Sequence, residues 1–318
     1  MLDELKFVRG SIAKNDVISS MAHFIISDGT VRGFNGTLAL CAKLPLDITC
    51  APLAEPLIKA IGNCTETINM SMTSAGMLRI HSGKFKVNIP CAETIPSEIL
   101  PEGERIEFDG QAVLAAFKAL FSFVGNDAAR PWSNGVLLRE GGAFATNNVC
   151  LVEYWMGSVF PHLANIPASA VREIIRINEP PVYGQMTETS ITFHYNDGRW
   201  VRSQLLNTEW PDLKRVLDVE SYPIPIDKNL FVALEAIKPF RDELSKVFFQ
   251  PDAVGTKPSS DDGSSYVLDA FNYEGIYQMD MLALLNGVAD TIDFTQYPSP
   301  ALFFGKNLRG AIVGMRGN

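Results

Sequence analysis

Basic side chains recur on the helical stretches of this chain, and the chemistry they fit is contact with phosphate. Lys6 and Arg9 lie at the first stretch, Lys59 on the second and Lys118 on the third. Arg172 and Arg176 lie on the fourth, and Lys228, Lys238 and Arg241 on or beside the fifth. Arg172 and Arg176 are four apart and share one helix face. Phosphate contacts of this kind ignore base sequence and weaken with salt. For any one residue the competing reading is a solvated helix face. Taken alone, the net charge of −9 argues against a protein that coats itself in nucleic acid. An acidic chain that meets nucleic acid does so on one restricted basic surface. The sixth stretch, Met281–Val288, carries no basic residue, and Glu55 and Glu235 sit on other helices. Such a surface is thinly positive and suits weak contacts.

Catalytic patterns are missing. His23, His81, His162 and His194 show no paired ligand spacing. Cys41, Cys50, Cys64, Cys91 and Cys150 form no CxxC, and their scatter favours reduced, mostly buried thiols. Gly33-Phe34-Asn35-Gly36 and Gly141-Gly142 read as hairpin ends, not as phosphate cradles. Asp261-Asp262-Gly263 lacks the spacing of a cation loop. The expectation is a protein that is not an enzyme and needs neither metal nor cofactor.

The elements that position these residues repeat. At 318 residues the chain has room for two or three domains. Hydrophobic residues at 47% and charged residues at 20% are ordinary for a globular protein. No run approaches the roughly 18 apolar residues of a membrane span, and Leu2–Val8 is too short and charged for a signal peptide. The cysteine usage points to the cytoplasm. A helical run followed by hairpin strands occurs six times. The helical runs are Leu2–Arg9, Pro52–Ile61, Gln111–Val124 behind Asp109 as N-cap, Ser169–Ile177, Asn229–Leu244 behind Asp227, and Met281–Val288. Hairpin tips fall at Asp28-Gly29, Ala75-Gly76, Gly141-Gly142, Asp197-Gly198 and Lys306-Asn307. Gly255–Ser265, with Ser259, Ser260 and Ser264, reads as a loop tip before the strand Tyr266–Tyr273. Two units per domain give an α+β protein of three domains, 1–101, 102–218 and 219–318, with linkers near Pro101–Glu104 and Val219–Pro225. Six helical runs argue against an all-β sandwich.

One stretch is more specific. Trp200, Val201, Leu205 and Leu206 read as a strand, and Trp210-Pro211-Asp212-Leu213-Lys214-Arg215-Val216-Leu217 follows a polar turn. Pro211 has no backbone donor, so a ladder stops there. This segment, with Asn134-Gly135, Thr146-Asn147-Asn148-Val149-Cys150-Leu151 and the end Ile312-Val313-Gly314-Met315-Arg316, resembles the bacterial DNA sliding clamps, the DNA polymerase III beta subunit family. The resemblance spans the chain and is best from Ile106 to Leu217. The first domain lacks most of the family's opening strand, which resembles a divergent or virus-encoded clamp.

The resemblance implies a ring-forming clamp fold, closed head to tail by two chains. Helices line the hole, and duplex DNA passes through unread. It implies a processivity factor, placed on DNA by an ATP-driven clamp loader, that tethers a DNA polymerase. The expected DNA-binding set is Lys59, Lys118, Arg130, Trp132, Arg172, Arg176, Lys238 and Arg241, with Arg130 and Trp132 in a family DNA-contacting loop. The expected partner-peptide cleft is Thr146, Leu151, Pro211, Arg215, Val216, Val313, Met315 and Arg316. Val149 and Cys150 replace the family's polar and basic pair, which alters peptide preference. Plain core positions are the competing reading for Leu151 and Val313, and an inward-packed ring for Trp132. The chains are expected to meet through edge strands near Lys84–Ile89 and Tyr266–Tyr273. The alternative is an oligomeric structural or regulatory protein that keeps the fold without encircling DNA.

Overall fold

The computed structural model describes residues 1–13, 19–95, 98–212, 214–259 and 261–317. Leu213 and Ser260 of the sequence motifs lie outside the described residues. Packing gathers the chain into two units, Met1–Leu114 with Ser169–Leu205, and Ala115–Ala168 with Leu206–Asn318. These packing units differ from the three divisions read off the linkers, because hairpins from neighbouring divisions share one sheet.

The first unit holds a seven-stranded antiparallel sheet. Ile25–Ser27, Thr30–Phe34 and Leu38–Lys43 form one half. Asp28 and Gly29 both take positive φ, as a two-residue hairpin turn requires. Leu38–Lys43 pairs with Trp200–Gln204, with Trp200 opposite Cys41, and the sheet continues through Ser190–His194, Tyr183–Met186 and Glu104–Ile106. A separate three-stranded sheet contains Asn69–Met72, Leu78–Ser82 and Phe85–Ile89. The helix Ala54–Gly62 turns Ala54, Leu57, Ala60 and Ile61 into the core, the spacing of one helical face. Each large side chain so buried stabilises the fold by about 1.5–3 kcal/mol.

The second unit repeats the plan. Its eight-stranded sheet joins Gly135–Arg139, Gly142–Thr146 and Cys150–Trp155 to Leu308–Ile312 and Ala301–Gly305. Ala164–Pro167 closes one end, and Thr291–Ile292 with Ile224–Pro225 the other. A four-stranded sheet runs Ser265–Val267, Ala253–Gly255, Lys246–Gln250, Gly275–Gln278.

Helix ends differ from expectation for local reasons. Asp109 does cap the third helix, accepting from the Gln111 and Ala112 amides, but that helix stops at Leu120. The fifth helical run ends at Ile237, and Pro239 follows in a tight turn over Lys238–Phe240. The sixth is only Met279–Ala283, capped by the Gln278 side chain, and Gly287 takes φ +73° beyond it. In place of the expected strand Tyr266–Tyr273 there is a short paired strand, Ser265–Val267.

Candidate functional site

The linking segment after Trp200–Gln204 crosses one face of the eight-stranded sheet. Leu217 is buried there against Leu137, Phe144, Leu302 and Ala311, with Leu151, Trp210 and Val216 packed half-buried beside them. A short helix, Lys214–Leu217, holds this segment down. Between it and the start of Cys150–Trp155 a groove of about 220 Å³ remains open.

Its floor is built by register. Leu151 stands opposite Ala311, and the Val313 amide donates to the Val149 carbonyl, so all four come to one end of the sheet. The turn before the strand is fixed by side chains. Asn147 Oδ1 accepts from the Val149 and Cys150 amides, Thr146 Oγ1 donates to the Cys150 carbonyl, and Asn148 takes φ +69°. Burial pushes the Cys150 thiol up to about 12, so this wall is uncharged at neutral pH.

Thr146, Leu151, Pro211, Val216 and Val313 of the expected cleft line the groove. Arg215, Met315 and Arg316 do not line it. Arg215 is exposed and only loosely paired with Asp212 at 3.8 Å, and Arg316 is exposed. The Met315 amide and carbonyl are engaged by the Ile276 carbonyl and the Tyr297 hydroxyl. Val313 is 44% exposed, so it is a groove residue and not core.

Arg130 and Trp132, read as a DNA-contacting loop, line this same groove. Their loop is braced internally. Asp127 and Asn134 exchange two hydrogen bonds, and the Trp132 carbonyl accepts from Asn165 Nδ2 at 2.9 Å. Trp132 is half-buried and meets Trp210 edge-on, ring centroids 5.3 Å apart. Asn148, Asp212 and Ala311 also line the groove and were missed from sequence. The partner-strand register needed to place Ala311 is invisible in one chain's pattern, whereas Asn148 sits in the motif and could have been found.

The helical cations sit on exposed faces, several of them beside carboxylates. Lys59, Lys118 and Arg172 are exposed. Arg9 forms a two-point pair with Glu55, 2.6 and 3.0 Å. Arg176 pairs with Glu173 and donates to the Phe7 carbonyl at 2.8 Å. Lys6, Arg9 and Arg176 come together on one concave surface of the first unit. In the second unit, Lys238 pairs with Glu235 at 3.2 Å, and both Lys238 and Arg241 pair with Asp280.

No family model and no curated protein sequence matches the chain. Solved structures do. A DNA polymerase sliding clamp from Bacillus subtilis superposes with a TM-score of 0.82 at 14% identity, over 100% of this chain and 97% of that one. The fold is that of the bacterial DNA sliding clamps. The Caulobacter crescentus beta sliding clamp gives 0.83 at 16% identity, over 99% and 97%. A Helicobacter pylori beta clamp bound to a DNA ligase peptide gives 0.77 at 12% identity, over 99% and 97%. Among the described residues no helix is long and apolar enough to cross a membrane, and no cluster of metal-ligating side chains occurs. The clamp fold therefore carries an apolar groove without a charged floor, and helix faces whose cations are largely satisfied within the chain.

Proposed function

We propose that this chain acts as a DNA sliding clamp, a non-enzymatic homodimeric ring around duplex DNA that tethers a polymerase by a peptide held in the groove. Its working domains are 1–101, 102–218 and 219–318. One observation carries the ring. Each long sheet is joined at the last strands of two hairpin sets, Leu38–Lys43 to Trp200–Gln204 and Cys150–Trp155 to Leu308–Ile312. Two last strands are left over, Phe85–Ile89 and Ser265–Val267, each at a sheet end. Joining them between two copies merges a three-stranded and a four-stranded sheet into one of seven, the size of the first unit's own long sheet.

Chemistry supports that joint. Val267 is 69% exposed, the neighbouring helix leaves Val232 at 55%, and the segment after it leaves Phe240 at 64% and Leu244 at 56%. A helix apolar on several sides is normally covered. Lys84 precedes the first leftover strand and Lys86 lies on it, and Asp261, Asp262 and Asp269 flank the second. Duplex DNA, a polymerase and an ATP-driven loader are the partners of this reading. Tethering makes polymerase rebinding intramolecular, so its strength need not come from DNA contacts.

The satisfied helix cations favour a second reading, an oligomer with the clamp fold that does not encircle DNA. Light scattering across a dilution series tests the ring. A species of 69.8 kDa, twice 34.9 kDa, is expected, and Phe240→Asp with Val267→Asp should return it to a monomer. A monomer at every concentration overturns the homodimer. Retention on closed circular DNA with release on linearisation then separates the two readings. Lys59→Glu with Arg172→Glu should reduce loader-dependent polymerase stimulation. Unchanged stimulation, or no retention on circles, favours the second reading.

A further inference from the structure

The linking segment divides the sheet face that it crosses. Alternate residues of a strand share a face, so Ala311 and Arg309 lie on one face with Leu151 and Glu153, their partners across the ladder. On the Ala311 row, Leu217 packs down beside Leu302. On the next row, Arg309 donates to the Leu217 carbonyl at 3.4 Å and pairs with Asp218 at 2.9 Å and Glu153 at 2.6 Å. The groove already described lies on one side of this latch, at Ala311 and Val313. A second groove, of about 510 Å³, lies on the other side, at Arg309, Leu308 and Asn307. From Ile312 to Leu308 is four residues of strand, about 14 Å.

The second groove is apolar, and its charges are spent on each other. Trp155 and Phe304 line it. The Trp155 amide donates to the Asn307 carbonyl at 2.8 Å, which fixes the end of its strand, yet the residue is 66% exposed. Phe304 stands opposite Arg309 and is half-buried. Glu153 and Arg309 are the charged residues of the lining, and they pair with each other. Asp218 joins the same guanidinium, so the latch carries a surplus of negative charge. Beyond the groove, Tyr154–Val171 contains no Asp, Glu, Lys or Arg, in a chain where these make up 20%. An exposed tryptophan on an apolar wall anchors a large uncharged side chain. A carboxylate placed there loses its water and meets the surplus negative charge.

We infer that the second groove is a landing site for the same partner whose peptide fills the first. The partner chain flanking that peptide runs extended over the latch and sets an aromatic or large aliphatic side chain against Trp155. This rests on the partner-peptide reading of the first groove. Continuity carries it: both grooves open on one sheet face, at a spacing that four extended residues cover. The second contact is made by a chain already held at the first, so it adds affinity at high effective concentration.

Fluorescence anisotropy on the full chain tests this with three labelled, capped peptides. The short probe is Ser-Leu-Leu-Phe-Ser. The two long probes add Ser-Gly-Ser-Trp after it or Trp-Ser-Gly-Ser before it. One long probe should bind about tenfold or more tightly than the short one. Trp155→Ala should remove that gain and leave short-probe binding unchanged. Asp in place of the added Trp should remove it too, with no change to the protein. Trp132→Ala should weaken short and long probes alike, because Trp132 lines the first groove. No gain from either long probe, or a gain that survives Trp155→Ala, overturns the second groove and leaves the first standing. No binding of any of the three probes overturns both.

Discussion

Asp293 is 1% exposed and accepts from the Tyr222 amide at 2.8 Å, the Thr295 amide at 3.0 Å, the Thr295 hydroxyl and Gln296. Burial pushes its carboxyl up, but the bonds donated to it together outweigh burial and hold it below the usual range. A lowered folded value means stability that is present above the unfolded value of about 3.9 and lost as pH falls through the folded one. Asp293→Asn should cost about 1–3 kcal/mol in urea unfolding near neutral pH. That difference should shrink below about pH 4, and a difference that grows on acidification refutes the assignment. Trp132 makes a second test at this scale. Trp132→Ala should weaken a groove-bound partner peptide about tenfold, the scale of an interface aromatic, and leave the mass unchanged. The sequence reading gives Trp132 to a DNA-contacting loop, and the structure sets its ring on the wall of the groove. What brings it to the groove is an edge contact with Trp210, and contacts between distant loops leave no periodic trace in one chain.

Hairpins and helix starts were the legible elements, because turn glycines and cap carboxylates act within four residues. Asp109 shows this, and Asp109→Ala should lower stability by about 1 kcal/mol in thermal unfolding, with the helix otherwise intact. Helix ends were less legible. Asn229–Leu244 has an apolar pattern throughout, yet the helix stops at Ile237 where Pro239 intervenes. Close approach between elements was not legible at all. A Cβ at Gly110 would lie 1.8 Å from the Pro181 carbonyl oxygen, so Gly110→Ala should destabilise despite the better helix propensity of alanine. A rise in melting temperature would refute that approach.

At the scale of the molecule, the ion pairs on the helices set how the protein answers salt. Arg9, Arg176, Lys238 and Arg241 each have a carboxylate partner within the chain. Each must release that partner before it meets a phosphate, so few counterions are released in exchange. The log–log salt slope of duplex binding should be shallower than about −0.9 for every basic residue on the helices. A slope near the full sum would mean the pairs break on contact.

The strand lengths decide one thing more. Inside the chain, the halves of the eight-stranded sheet are joined by five facing residue pairs at Cys150–Tyr154, and those of the seven-stranded sheet by four at Trp200–Ser203. The leftover strand Ser265–Val267 offers only three residues to a second copy. A belt gives way at its buckle, and in the proposed ring the buckle would have the fewest stitches. If the proposed ring forms, a machine that threads DNA into it would have its cheapest place to pull between chains, and the time the belt stays shut would be set by three residues of backbone.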